Sequence, residues 1–112
     1  MQSPSVSVIV PIYKTERFIK RCLQSLFEQT LSDIEYIFVN DCTPDKSMEI
    51  LSEVLNTSYS HKKPQVKIVS HDKNRGASVA RNSGLSAATG QYVIFADSDD
   101  WVKQDAYAMM YE

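Results

Sequence analysis

Three carboxylates fall within four residues at Asp97-Ser98-Asp99-Asp100, directly after the apolar run Tyr92-Val93-Ile94-Phe95-Ala96. Carboxylates crowded into a short loop repel one another, and a hard divalent cation with oxygen ligands relieves that repulsion. A cation at the end of a sheet strand is also well placed to hold phosphate oxygens. The plainer alternative is a solvated turn with a helix cap, since Asp is common in both. Three Asp in four residues at a strand end favour the cation.

Three other polar stretches follow apolar runs in the same way: Tyr13-Lys14-Thr15-Glu16, Asp41-Cys42-Thr43-Pro44-Asp45 and His71-Asp72-Lys73-Asn74-Arg75. The runs before them read as strands. Val6 to Val10 is β-branched and closed by Pro11, Glu35 to Asn40 is a second strand, and Val66 to Val69 a third. Tyr92 to Ala96 is the fourth. Between them, Phe18, Ile19, Cys22, Leu23, Leu26 and Phe27 recur at helical spacing, and Met48, Leu51, Val54 and Leu55 do so within Ser47 to Asn56. Ala77 to Ala88 is a third helix, stopped by Gly90, and a fourth begins near Gln104. Thr57 to Pro64 reads as a polar connector.

Strands alternating with helices predict an α/β fold: a Rossmann-like open, mostly parallel sheet with right-handed crossovers and helices on both faces. Strands 1, 2 and 4 are near-continuous apolar runs, as when both faces are covered. In such a sheet, ligands bind beyond the carboxyl ends of the strands. All four polar stretches fall on that edge. The loops of the opposite edge are ordinary connectors.

The bulk figures exclude several classes. A chain of 112 residues with 43% hydrophobic residues is one domain with a real core. Twelve Lys+Arg against 14 Asp+Glu give −2, which is no footprint for nucleic acid. No run approaches the roughly 20 apolar residues of a membrane span, and nothing resembles a signal peptide. Cys22 and Cys42 are too few and scattered for a disulfide framework or zinc site, and Cys22 reads as a small core residue. A soluble protein of a reducing, cytoplasmic compartment is predicted. The stop at Glu112, inside a helix, predicts a fold that continues beyond residues 1–112.

The three glycines, Gly76, Gly84 and Gly90, all lie after the second strand. The dinucleotide fingerprint and the P-loop are therefore excluded. A phosphate-bearing ligand would need a metal at the Asp97 loop, or Arg75 and Arg81. Asp41 either accepts hydrogen bonds from a base or ribose, or starts an Asx-turn through Thr43-Pro44. Asp45 reads as a helix N-cap. Arg81 is either a surface residue or a ligand contact near a helix N-terminus. Tyr13 either stacks on a base or packs. His61 and His71 lack Cys or His neighbours in sequence and read as solvated.

Four segments, in order, resemble the family 2 glycosyltransferases of GT-A fold: Val6-Ser7-Val8-Ile9-Val10-Pro11-Ile12-Tyr13; Phe38-Val39-Asn40-Asp41-Cys42-Thr43-Pro44-Asp45; Asn74-Arg75-Gly76-Ala77-Ser78-Val79-Ala80-Arg81-Asn82-Ser83-Gly84; and Gly90-Gln91-Tyr92-Val93-Ile94-Phe95-Ala96-Asp97-Ser98-Asp99-Asp100-Trp101. The resemblance implies a domain for nucleoside-diphosphate sugars, with strand order 3-2-1-4. Pro11 and Tyr13 would line the base pocket, Asp41 would read the base (usually uracil), and Arg81 would stand near the nucleotide. Asp97 and Asp99 look like the Asp-x-Asp motif, with Asp97 toward ribose or sugar and Asp99 holding Mg²⁺ or Mn²⁺. The acceptor would be a saccharide or lipid-linked hydroxyl, and missing regions could add peripheral membrane association. The catalytic base would lie beyond Glu112, leaving residues 1–112 alone inactive. The family often has Asn at Lys14, Asp at Asn40 and Gly-Ser at Cys42-Thr43. Two other readings stand beside this one. One is a non-catalytic nucleotide-binding module. The other is a phosphoacceptor signalling domain, whose acids follow strands 1 and 3 rather than 2 and 4.

Overall fold

The computed structural model describes residues 4–111. Four parallel strands, β1 (Val6–Ile12), β2 (Ile34–Asn40), β3 (Val66–Ser70) and β4 (Tyr92–Phe95), form one sheet in the order β3-β2-β1-β4. That is the order the resemblance implies. The helices are α1 (Ile19–Phe27), α2 (Ser47–Thr57), α3 (Ala77–Ala87) and α4 (Ala106–Tyr111). Glu112, where the sequence reading placed the interruption, lies outside the described residues.

Alternation along the two central strands divides the core between the faces. Val8, Val10, Ile12, Tyr36 and Phe38 join α1, α2 and Tyr107 of α4 in the larger cluster. Ile9, Ile37 and Val39 meet Ala80 of α3 on the other face. The sheet therefore carries helices on both faces. Phe27 meets the Tyr36 ring edge-on at 5.0 Å, and the Tyr36 hydroxyl donates to the Leu26 carbonyl at 2.7 Å. A fully buried aromatic of this size contributes about 1.5–3 kcal/mol. On the opposite face α3 must approach closely. A Cβ at Gly84 would collide with Ile9 Cγ2.

Three local expectations are corrected. Pro11 does not close the first strand, because β1 runs on to Ile12. Ile9 O accepts from Ala96 N, so the amide positions of Ile9 and Pro11 face β4, and pairing with β4 ends at Ile9. The missing N–H of Pro11 thus falls where no partner strand is lost. The connector after α2 contains a 3₁₀ helix, Ser60–Gln65. Finally, β4 is only partly covered on each face. Ile94 packs on one face and Val93 on the other, but Tyr92 and Phe95 are 61% and 48% exposed. An apolar run cannot by itself tell a central strand from an edge strand.

Candidate functional site

The carboxyl ends of β1, β2 and β4 and the start of α3 enclose a cleft of about 410 Å³. Pro11, Tyr13, Thr15, Asp41, Asn74, Gly76, Arg81, Asp97 and Asp99 are among its lining residues. All six residues singled out from sequence, Pro11, Tyr13, Asp41, Arg81, Asp97 and Asp99, are brought to this one cleft. Arg75, the other candidate cation, is not among its lining residues. Its guanidinium reaches Asp72 at 3.5 Å on the surface.

Asp41 directly follows β2 as a buried carboxylate. Oδ1 accepts from the Arg75 amide at 2.8 Å and from His71 Nδ1 at 2.8 Å, and Oδ2 accepts from the Gly76 amide at 2.9 Å. Burial pushes its pKa up, but the His71 bond and the two amides outweigh this and hold it below the ordinary carboxylate range. His71 corrects the sequence reading. It is nearly buried, and its Nε2 lies 2.8 Å from Ser83 Oγ on α3. No local pattern announces this, since Asp41, His71 and Ser83 are far apart in sequence and meet only through the β2–β3 pairing and the packing of α3.

Asp45 is not the N-cap of α2: that position is Lys46, which has no side-chain cap bond, and Asp45 one residue earlier braces the loops instead. Oδ1 accepts from Thr43 Oγ1 at 2.6 Å, Ser47 Oγ at 2.7 Å and the Ser47 amide at 3.1 Å, while Oδ2 accepts from the Glu16 amide at 3.1 Å. Lys14 N donates to Thr43 Oγ1 and Thr15 N to Ser47 Oγ. The loop after β1 is thereby pinned to the loop after β2. Partial burial opposes ionisation of Asp45, yet these donors bring its pKa down to about 2. Thr15 Oγ1, beside the cleft, is buried and has no hydrogen-bond partner among the described residues.

The fourth loop is built differently. Asp97, Asp99 and Asp100 are exposed, and Arg81 approaches Asp97 at 3.6 Å with both side chains substantially solvated. Ser98 is buried and the loop turns through an Asp100 N to Asp97 O bond of 3.1 Å. The Cys22 thiol beneath donates to the Asp97 carbonyl. Burial, then the charges of Asp100, Asp99 and Asp97, push that thiol up to about 12, so it stays a neutral core group as read from sequence. No group of three or more His, Cys, Asp or Glu stands ready to ligate a metal among the described residues. The donor set of one or two exposed carboxylates fits a Mg²⁺-type ion whose remaining ligands are water and phosphate oxygens.

Known proteins share this fold. The glycosyl transferase family 2 profile matches residues 7–112. The chain belongs to that family. EpsJ of Bacillus subtilis, an uncharacterised glycosyltransferase, is 45% identical over 109 residues, which are 97% of this chain and 30% of EpsJ. TarS of S. aureus, solved in complex with UDP-GlcNAc, superimposes with a TM-score of 0.82 at 30% identity, covering 95% of this chain and 30% of that one. The mannosyltransferase PcManGT of Pyrobaculum calidifontis, solved with GDP-Man and Mn²⁺, has a TM-score of 0.79 at 26% identity, covering 96% and 31%. The chain thus spans about a third of the length of these relatives.

Lys14 and Cys42 stand where the resemblance implies Asn and Gly, and the backbone there would favour those residues. Both residues sit in the left-handed region, at φ 55° and 56°. Asn and Gly adopt that region at little cost, whereas Lys and Cys are held there against their preference.

Proposed function

We propose that the cleft binds the nucleoside diphosphate of an activated sugar, a UDP-sugar above others, for an inverting, metal-dependent transfer to an acceptor hydroxyl. The observation that carries this reading is the placement of Asp41 and Asp97 on the two sides of the β1 end within one cleft. UDP-GlcNAc in TarS and GDP-Man with Mn²⁺ in PcManGT support the ligand class. Asp41 receives a base N–H, Tyr13 and Pro11 flank the base, and Arg81 and Asp97 meet the ribose and phosphate region. Asp99, with phosphate oxygens, would hold Mg²⁺ or Mn²⁺, which supplies positive charge for the departing diphosphate.

In the transfer itself, a base takes the acceptor O–H proton and the oxygen attacks the anomeric carbon. The bond from that carbon to the phosphate oxygen breaks, releasing the nucleoside diphosphate. The resemblance puts that base, and the saccharide or lipid-linked acceptor site, downstream of residues 1–112. Polysaccharide or glycolipid synthesis in the cytoplasm suits these substrates and the unpaired Cys22 and Cys42. No helix among the described residues is long and apolar enough to cross a membrane.

Calorimetric titration of UDP, GDP and CDP, each with Mn²⁺ and with excess EDTA, tests the reading. UDP should bind most tightly and only with the cation. Full-strength binding in EDTA, or no nucleotide binding, overturns it.

A further inference from the structure

Asp41 has few acceptor positions left. Its Oδ1 already takes two hydrogen bonds and its Oδ2 one, so a single Oδ2 lone pair remains for a ligand in the cleft. The two amides that hold the carboxylate, from Arg75 and Gly76, belong to the loop before α3, where Gly76 has φ 93°. That loop and the carboxylate steady each other, and neither amide belongs to a regular element. His71 is different. Its amide donates to the Asn40 carbonyl at 2.9 Å, continuing the β2–β3 pairing, and its ring bridges Asp41 to Ser83 of α3.

An ionised carboxylate only accepts, so the proton on the His71 ring sits on Nδ1. In the neutral ring Nε2 is then an acceptor, and the Ser83 hydroxyl donates to it. With the ring neutral, the chain of donors runs Ser83 to His71 to Asp41. The same order of residues serves nucleophilic hydrolysis elsewhere, but here Asp41 rather than Ser83 lines the cleft. The array therefore ends on the carboxylate.

We propose that His71, backed by Ser83, is a positioning residue that orients the Asp41 carboxylate so that its free Oδ2 lone pair selects bases presenting a ring N–H. Uracil at N3 and guanine at N1 offer that donor. Cytosine and adenine offer an acceptor at the equivalent edge, which faces the carboxylate with two lone-pair groups opposed. The inference rests on the reading of Asp41 as the base contact. It adds that the selectivity depends on a second residue that no ligand touches. Without the His71 tether the carboxylate is held only by the Arg75 and Gly76 amides of a loop, and the carboxylate torsion is broad, so a small rotation lets the oxygen meet acceptor bases through water and erodes discrimination more than affinity.

The test uses the full-length protein with Mn²⁺ and compares UDP and CDP affinities in wild type, His71→Ala, His71→Asn, Ser83→Ala and Asp41→Ala. His71→Ala should lower the UDP-over-CDP ratio by about tenfold, the scale of one charge-assisted hydrogen bond. His71→Asn, whose side-chain amide places a donor near Nδ1, should recover most of it, and Ser83→Ala should lower it by a few-fold. An unchanged ratio in His71→Ala, with the ratio lost in Asp41→Ala, overturns the positioning role alone. An unchanged ratio in Asp41→Ala overturns the reading beneath it. Should His71→Ala fail to fold, the Asn variant and ¹⁵N NMR of the wild-type ring decide. An Nδ1-protonated His71 and a preserved ratio in His71→Asn support the proposal, and an Nε2–H tautomer overturns it.

Discussion

The two acidic loops of the cleft solve opposite electrostatic problems. Asp41 is buried and meets three donors within 2.9 Å. Asp97, Asp99 and Asp100 stand in solvent, with Arg81 3.6 Å from Asp97. A buried carboxylate must be paid back with hydrogen bonds, and those bonds give it a fixed direction. An exposed cluster needs no such partners and keeps its charge free for a cation. The first arrangement suits recognition of one donor atom, and the second suits a divalent ion shared with phosphates. Preorganisation at one end and an unfilled charge at the other make the loops separable by mutation.

Asp41→Ala should break the comparison most severely. It leaves the Arg75 and Gly76 amides and His71 Nδ1 without their acceptor. Stability should fall by about 3 kcal/mol in denaturant melts, together with loss of base preference in nucleotide titrations. A change confined to binding would show that Asp41 is no part of the fold's support.

Asp99→Ala should do the reverse. Nucleoside diphosphate affinity in Mn²⁺ should drop by about 2 kcal/mol, or some 30-fold, and the metal requirement should vanish with it, while the melting temperature stays within a degree or so. In the wild type, metal and nucleotide should tighten each other by the same factor, as linkage demands. Calorimetry in both orders of addition checks this. Equal destabilisation by Asp99→Ala and Asp41→Ala would erase the contrast between the loops.

Acid titration separates a third carboxylate. The folded-state pKa of Asp45, about 2, lies below the ordinary 3.8. Its contribution is therefore complete above about pH 4 and is lost as pH falls toward 2. Allowing for solvent screening, it amounts to about 1–2 kcal/mol. Asp45→Asn should flatten stability between pH 4 and 2, as followed by urea melts. A wild-type slope retained in the variant would place the acid sensitivity elsewhere.

The smallest effect is expected at the backbone. Cys42 holds φ 56° without being glycine. Cys42→Gly should raise stability by about 0.5–1 kcal/mol, as relief of left-handed strain exceeds the added chain entropy. A destabilised variant would mean that the Cys42 thiol contact with the Asp72 carbonyl outweighs the strain.

The order of elements and the gathering of polar residues at one sheet edge were legible in the linear chain. Period-2 and period-3.6 patterns are local, and in a parallel α/β fold every loop after a strand reaches the same edge. Asp97 and Asp99 were equally visible, because their signal is contiguous. The central strands β1 and β2 and the edge strand β4, by contrast, are alike as apolar runs. Their difference in exposure is a property of the sheet order.

What the sequence determined, then, is the set of things carried by neighbours along the chain: the strand and helix alternation, the motif positions and the family. Only tertiary structure decided what distant residues do to one another. His71 read as a solvated histidine because its partners, Asp41 and Ser83, lie 30 and 12 residues away. Asp45 read as a simple cap because the Glu16 amide it also receives comes from the previous loop. A side chain's hydrogen-bond partners are chosen by three-dimensional proximity and burial. No one-dimensional pattern reports those until β3 has paired with β2 and α3 has packed across the sheet.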